Sequence, residues 1–470
     1  MTVAPISPQV GMYSTPMQQA TAKIVSSPLP FLGLCAYLLT QAHMIPLRAI
    51  GPSWAVWPRF ADISFAILAL LAVIAGSKGV NVSAANRRIF NFLVVGFGVC
   101  ILSYFVVTIG MGGTATKGAN DGIYYMYRVT QAIIIYWATM RITFTPKRLK
   151  ILSFITTGVF IFVCTMCLLT KFRVVPTSLL AVQLPINKNV SGSWAKYFAN
   201  MSVGWGTISY NHAYVSAQVI LLLAVRMNLS RKRHLFTDSA LILLAAVTCF
   251  ISDSRAGLAA LVLFAGMLFL RNWIYLIGIG ALLLIGSFFF SPGSLQQNED
   301  FEVVSERASG TLDPLKDQQF QARMQIWEGY LDAFQKEPHT WIVGRGFGSA
   351  RSYGQPAHMM FLTIMSEIGI VGVSAFLLFF FIIITSLHNQ EQPPQAMLYM
   401  TLALLASCMT QETLWPVPSM GHFVAFYLCA VAIALRVKTE GPLSTLPSRA
   451  VSPQFAQMPR MGSPRIPRTH

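Results

Sequence analysis

Twelve predominantly apolar runs, each about 16 to 29 residues long, follow one another through this chain, and about 20 such residues carry a helix across a bilayer. A chain built this way is solvated mainly by lipid, and composition agrees. Apolar residues make up 54% of the 470 and charged residues only 11%, too little charge to clothe a water-exposed globule of this size. The pattern predicts an all-α, polytopic membrane protein of about twelve transmembrane helices.

The runs fall near 30–47, 60–77, 89–110, 123–140, 150–170, 206–226, 236–252, 255–270, 272–290, 358–386, 395–412 and 420–436. The formal charge of +17 could suggest nucleic acid, but Lys and Arg gather in short clusters between apolar runs and no recognition module accompanies them. The clusters instead orient the chain. Lys78, Arg87 and Arg88 follow the second run, Arg141, Lys147, Arg148 and Lys150 the fourth, and Arg226, Arg231, Lys232 and Arg233 the sixth. By the excess of basic residues on the cytoplasmic side, the connections after even-numbered runs and both ends of the chain are cytoplasmic. Lys171, Arg173, Lys188 and Lys196 run against this, since they fall in the outer connection after the fifth run.

This organisation divides the chain into a disordered cytoplasmic lead (1–29), helices 1 to 9 (30–290), a large outer loop (291–357), helices 10 to 12 (358–436) and a basic, disordered tail (437–470). The lead lacks the basic-then-apolar order of a signal peptide. All seven cysteines lie in apolar stretches, and the CxxC spacing of Cys164 and Cys167 has no second pair or nearby histidine, so packing is expected rather than metal binding.

The outer loop is the least membrane-like part. It holds nine of the chain's 17 acidic residues, and a loop of this length is either functional or disordered. In its middle Phe320, Met324, Trp327, Leu331 and Phe334 recur at helical spacing, which predicts an amphipathic helix lying apolar face down on the membrane. A glycine-rich turn, Gly344-Arg345-Gly346-Phe347-Gly348, follows.

Ionisable groups at or within the membrane boundary are costly and therefore candidates for function. Arg255, in the tight connection Ser252-Asp253-Ser254-Arg255, can clamp an anion at the outer leaflet or pair locally with Asp253. Arg323 stands one turn before Trp327 and can snorkel from the interfacial helix. His358 opens the tenth run, where the helix dipole disfavours imidazolium; a neutral imidazole there can act as a general base or simply mark the boundary. Glu367 lies nine residues deeper on the opposite face, so the two form no acid/base pair within one ideal helix, and an arginine of another helix is its expected partner. Asn211 and His212, near the outer end of the sixth run, suggest an interhelical hydrogen bond. The sequence has no P-loop, no Asp-x-Asp pair and no metal-spaced cluster, so no cofactor and no metal is expected.

Taken in order, Ser254-Arg255-Ala256, Arg323-x-x-x-Trp327, the Gly344 to Gly348 turn, His358 and Glu367-Ile368-Gly369-Ile370-Val371-Gly372 resemble the O-antigen ligase and Wzy-type polysaccharide polymerase superfamily, over about a quarter of the chain. The resemblance implies a multi-pass protein of the bacterial inner membrane whose large loop is periplasmic. It implies a glycosyltransferase whose donor is a glycan on undecaprenyl pyrophosphate and whose partners are that lipid-linked oligosaccharide, a glycan acceptor, the bilayer and other exopolysaccharide synthesis and export proteins. It implies pyrophosphate binding by Arg255 and Arg323, with Arg345 as a third candidate, activation of the acceptor hydroxyl by His358, and supporting roles for Trp327 and Glu367. Many members carry Asn after the histidine; here Met359 and Met360 follow it, so if that Asn positions the histidine or a sugar, another residue must do so here.

Polymerisation of repeat units into exopolysaccharide is the first reading, ligation to lipid A core the second. A polysaccharide transporter or flippase is the reading from another class, though such proteins place their charges near the midplane of two related halves rather than along one boundary.

Overall fold

The computed structural model describes residues 27–42, 59–76, 82–105, 118–171, 174, 212–230, 235–252, 254–270, 318–350, 357–417 and 422–437. The expected disordered lead, the ninth span at 272–290, the first part of the outer loop, Asn211, Asp253 and the tail beyond 437 lie outside the described residues.

The described residues form an all-helical structure of thirteen helices. In chain order they are α1 (Leu29–Thr40), α2 (Phe60–Ala75), α3 (Ala84–Ser103), α4 (Gly118–Thr139), α5 (Pro146–Lys171), α6 (His212–Leu229) and α7 (Leu235–Ile251). There follow α8 (Arg255–Phe269), α9 (Gln318–Lys336), α10 (Thr340–Val343), α11 (Met360–His388), α12 (Gln395–Ser407) and α13 (Phe423–Val437). Eleven of these match expected spans; the other two, α9 and α10, belong to the outer loop. Segments of α3, α5 and α11 are long and apolar enough to cross a membrane, and seven shorter helices are apolar. The protein is thus a multi-pass membrane protein.

Local signals set the helix ends. Ser83 accepts a hydrogen bond from Asn86 N at 3.2 Å and Ser254 one from Gly257 N at 3.1 Å, satisfying N–H groups that the first turn leaves free. Pro146 opens α5, where its missing N–H costs nothing.

Burial separates centre from rim. Nearly every side chain of α6 from Tyr214 to Leu229 and of α13 from Phe423 to Arg436 is buried, the mark of helices apolar all round and enclosed by others. On α2, by contrast, Ile63, Ile67, Leu70, Val73 and Ile74 are exposed, a face suited to lipid. All seven cysteines are free thiols, five of them buried.

One buried polar cluster ties α2, α4 and α13 together. Asp62 Oδ1 accepts from Arg128 at 2.8 Å, Gln131 at 2.7 Å and Tyr127 at 3.1 Å, and lies 2.8 Å from His422 Nε2. Arg128 Nη1 also lies 2.7 Å from Gln131 Oε1 and 2.9 Å from His422 Nε2. Removing one member of such a pair strands a buried charge. Asp62→Ala is therefore expected to destabilise the protein by about 3–5 kcal/mol, measured as thermal unfolding in detergent, and Asp62→Asn by less.

The loop helix α9 departs from expectation in its buried face. Tyr330 and Phe334 are buried with Ala357 in a small cluster flanked by Ile326, Leu362 and Met365, while Met324 and Leu331 are exposed. The helix thus packs on α11 and on the segment before it rather than lying on lipid along the predicted stripe. Tyr330 makes the difference: its ring is apolar and its hydroxyl donates to Ala350 O at 3.0 Å, so it belongs inside.

Candidate functional site

Three elements place the candidate residues around one short turn after α12. The backbone N–H of Met360, first residue of α11, donates to Cys408 O at 3.0 Å. Arg323 of α9 reaches Thr410 O at 3.4 Å, and Thr363 donates to Glu412 Oε1 at 2.6 Å. A cleft between α6, α8 and α12, lined by Ser216, Gly257, Ser407, Gln411 and Thr413 among others, brings the N-terminus of α8 to the same turn. Close packing there depends on Gly257, whose added Cβ would lie 2.1 Å from Ser216 Oγ. Arg255 begins α8; its side chain lies outside the described residues, as does that of His212.

His358 has φ 52, the only non-glycine residue with positive φ among the described residues. Such a conformation costs energy in an L-residue and persists where the surroundings over-determine it. The surroundings here are identifiable. Trp327 Nε1 donates to Ala357 O at 2.8 Å, fixing the backbone one residue before His358, and Met360 N is fixed on Cys408 two residues after it.

Burial of the His358 imidazole lowers its pKa below the ordinary histidine value; Glu412 opposes that shift and Arg323 adds to it. The ring is therefore neutral near pH 7, with a carboxylate and a guanidinium in its field. Such a group can accept a proton from a hydroxyl.

Glu367 is buried, and its partners differ from the arginine expected. Trp415 Nε1 donates to Oε2 at 3.0 Å and the Ala350 N–H to Oε1 at 3.4 Å. Two residues on, the helix breaks: Gly369 has φ 70 and ψ −163. The break leaves carbonyls of α11 without their usual donors, and the glycine-rich turn supplies replacements. Arg345 N donates to Ser366 O at 2.8 Å and Gly346 N to Glu367 O at 2.9 Å. The Arg345 side chain turns the other way and holds Glu337 in a two-pronged ion pair, with contacts of 2.9 Å to each carboxylate oxygen. Phe347 is buried against Tyr125 and Trp415, with ring centroids 5.7 and 5.8 Å away.

The structure thus brings His358, Arg323 and the start of α8 to one turn, keeps Arg345 on a carboxylate and makes Trp327 and Glu367 parts of the frame. Sequence reasoning missed Glu412 and Trp415. Glu412 is one of few acidic residues outside the large loop, which was the available signal. Among the described residues no group of three or more His, Cys, Asp or Glu could hold a metal ion.

A family model described as O-antigen ligase matches residues 240–377, from within α7 to residue 377 of α11. Over that segment the chain is similar to the O-antigen ligase and Wzy polymerase family. Members of that family transfer glycans from lipid carriers, as ligases or as polymerases. The matched segment holds Arg255, Arg323, Trp327, Arg345, His358 and Glu367, whereas Glu412, Trp415 and the Asp62 cluster lie outside it. No curated protein matches the sequence.

Proposed function

We propose that this protein is a glycosyltransferase that polymerises undecaprenyl-pyrophosphate-linked repeat units into exopolysaccharide at the periplasmic face of the bacterial inner membrane. The observation that carries the reading is His358 itself, a neutral imidazole held in a left-handed backbone conformation with Arg323 and Glu412 in its field.

The acceptor hydroxyl attacks the anomeric carbon of the donor while its proton passes to His358. The carbon–oxygen bond to the diphosphate breaks, and undecaprenyl pyrophosphate departs with the electron pair. Arg323 and Arg255 balance the charge that develops on it; the contact of Arg323 with Thr410 O in the 408–413 turn supports its part in this. Arg345 is already committed to Glu337, so its removal should affect donor binding less than removal of Arg323. Glu412 holds the proton-accepting ring in a favourable field once it becomes cationic.

Purified protein in liposomes, supplied with a synthetic undecaprenyl-pyrophosphate oligosaccharide repeat unit, should yield a ladder of longer lipid-linked glycans without ATP. Product that stays at one unit until lipid A core is added would favour ligation instead. The same assay reads the pH dependence. The base works in its neutral form, so the rate should fall as pH drops through the His358 pKa, below the ordinary histidine range. Glu412 raises that pKa, so Glu412→Gln should move the acid limb to still lower pH, and an unmoved limb would remove Glu412 from the field of the base.

A further inference from the structure

The sequence assigns 340–343 to an aqueous loop, yet the geometry of α10 does not suit water. Trp341, Ile342 and Val343 are all exposed, Ile342 at 59%. Three consecutive exposed apolar residues in a loop of charged composition call for a partner. What lies beside them identifies it. An added Cβ on Gly369 would sit 2.2 Å from Ile342 O and 2.6 Å from Val343 N, so α10 rests directly on the break in α11. Immediately past that break, Ile370, Val371, Leu377, Leu378 and Phe381 are exposed along one helical stripe of a membrane-spanning segment.

The length of that segment sets the level of α10. Beyond Gly369, residues 370–388 span about 28 Å at 1.5 Å per residue, close to the hydrocarbon thickness of a bilayer of about 30 Å. The break therefore falls at the outer edge of the hydrocarbon, and α10 lies there with it. The backbone donors allow this, because irregular chain enters lipid only where its N–H groups are satisfied internally. The N–H groups of Trp341, Ile342, Val343 and Gly344 donate to Pro338, His339, His339 and Thr340 carbonyls at 2.9 to 3.3 Å, and those of Arg345 and Gly346 donate to α11. The flanks are polar, with Lys336 exposed and the Glu337–Arg345 pair beside it. Trp341 also packs on Phe334 of α9 at 5.0 Å, an aromatic side chain at the water boundary.

We infer that α10 is a re-entrant wedge whose Trp341, Ile342 and Val343 insert among the acyl chains of the outer leaflet, continuing the lipid-facing stripe of α11. The catalytic loop is thereby pinned to the bilayer beside the glycine-rich turn. The inference rests on the topology and not on the reaction, so it stands or falls separately from the proposed activity.

Nitroxide labels at Ile342→Cys and, as a second site, Trp341→Cys are compared with Leu377→Cys and Glu328→Cys in vesicles of phosphatidylethanolamine and phosphatidylglycerol, with the unsubstituted chain as labelling blank. Relaxation by oxygen against relaxation by a water-soluble nickel chelate reads depth. The ratio at α10 should lie nearer that at 377 than that at 328, by several-fold in oxygen preference. A ratio nearer that at 328 overturns the inference, and protection from both reagents, which would indicate a protein surface on α10, overturns it too.

Discussion

Replacing His358 by asparagine should lower the rate of glycan transfer by about 10²- to 10⁴-fold, the range lost when a general base is removed, while the protein remains folded. Asparagine is chosen because it tolerates positive φ better than most residues, so the backbone at φ 52 suffers little. The loss should appear in kcat at saturating donor, since the imidazole takes its proton in the transition state and contributes little to holding the lipid. Arg323→Ala should instead raise KM for the donor as well as lowering kcat, because a guanidinium that meets the diphosphate acts in both states. A His358→Asn protein with full activity would leave the reaction without its assigned base.

The second large effect concerns folding. Gly344→Ala and Gly369→Ala should each destabilise the protein by more than about 3 kcal/mol, seen as a marked drop in thermal unfolding temperature in detergent. Both glycines combine φ 69 and 70 with ψ −169 and −163, a region essentially reserved for glycine that alone costs an L-residue about 1–3 kcal/mol. Steric overlap adds to this. A Cβ at Gly344 would lie 2.3 Å from the Glu367 carbonyl carbon, and one at Gly369 would lie 2.2 Å from Ile342 O. Both atoms it would strike are backbone and cannot rotate away. Gly96→Ala is the control, since a Cβ there meets nothing within 4 Å and the position is helical, so it should be neutral or slightly stabilising. Equal stability of all three variants would show that the turn does not dock on the broken helix as described.

What the sequence made legible follows from the range of each interaction. Spanning helices declare themselves because lipid demands about 20 apolar residues in a row, a local property. Their ends were less certain: α3 begins at Ala84 rather than near 89, because Ser83 caps a first turn whose Asn86, Arg87 and Arg88 dilute the apolar signal. The break at Gly369 was not legible, since one glycine in an apolar run is compatible with unbroken helix and only the approach of α10 requires otherwise. The α9 stripe was misplaced by about one residue because it did not include Tyr330, whose ring is buried and whose hydroxyl finds Ala350.

The site divides in the same way. His358 and the arginines stand out as ionisable groups at a membrane boundary, a feature visible without neighbours. Glu412 does not, because its hydrogen bond to Thr363 closes over 49 positions. The Asp62 cluster is further from any local pattern, with 66 positions between Asp62 and Arg128 and 360 between Asp62 and His422. Helix packing, not composition, brings such residues together.

The account depends most on which side of the membrane α9 and His358 occupy. Glu328 is exposed on α9, and five of the seven native cysteines are buried, so a thiol introduced there can be read against the unsubstituted chain. Spheroplasts carrying Glu328→Cys are treated with a membrane-impermeant maleimide before and after lysis. Full labelling in intact spheroplasts is the predicted result. Labelling that appears only after lysis would put α9 in the cytoplasm and contradict the proposed reaction at the outer face.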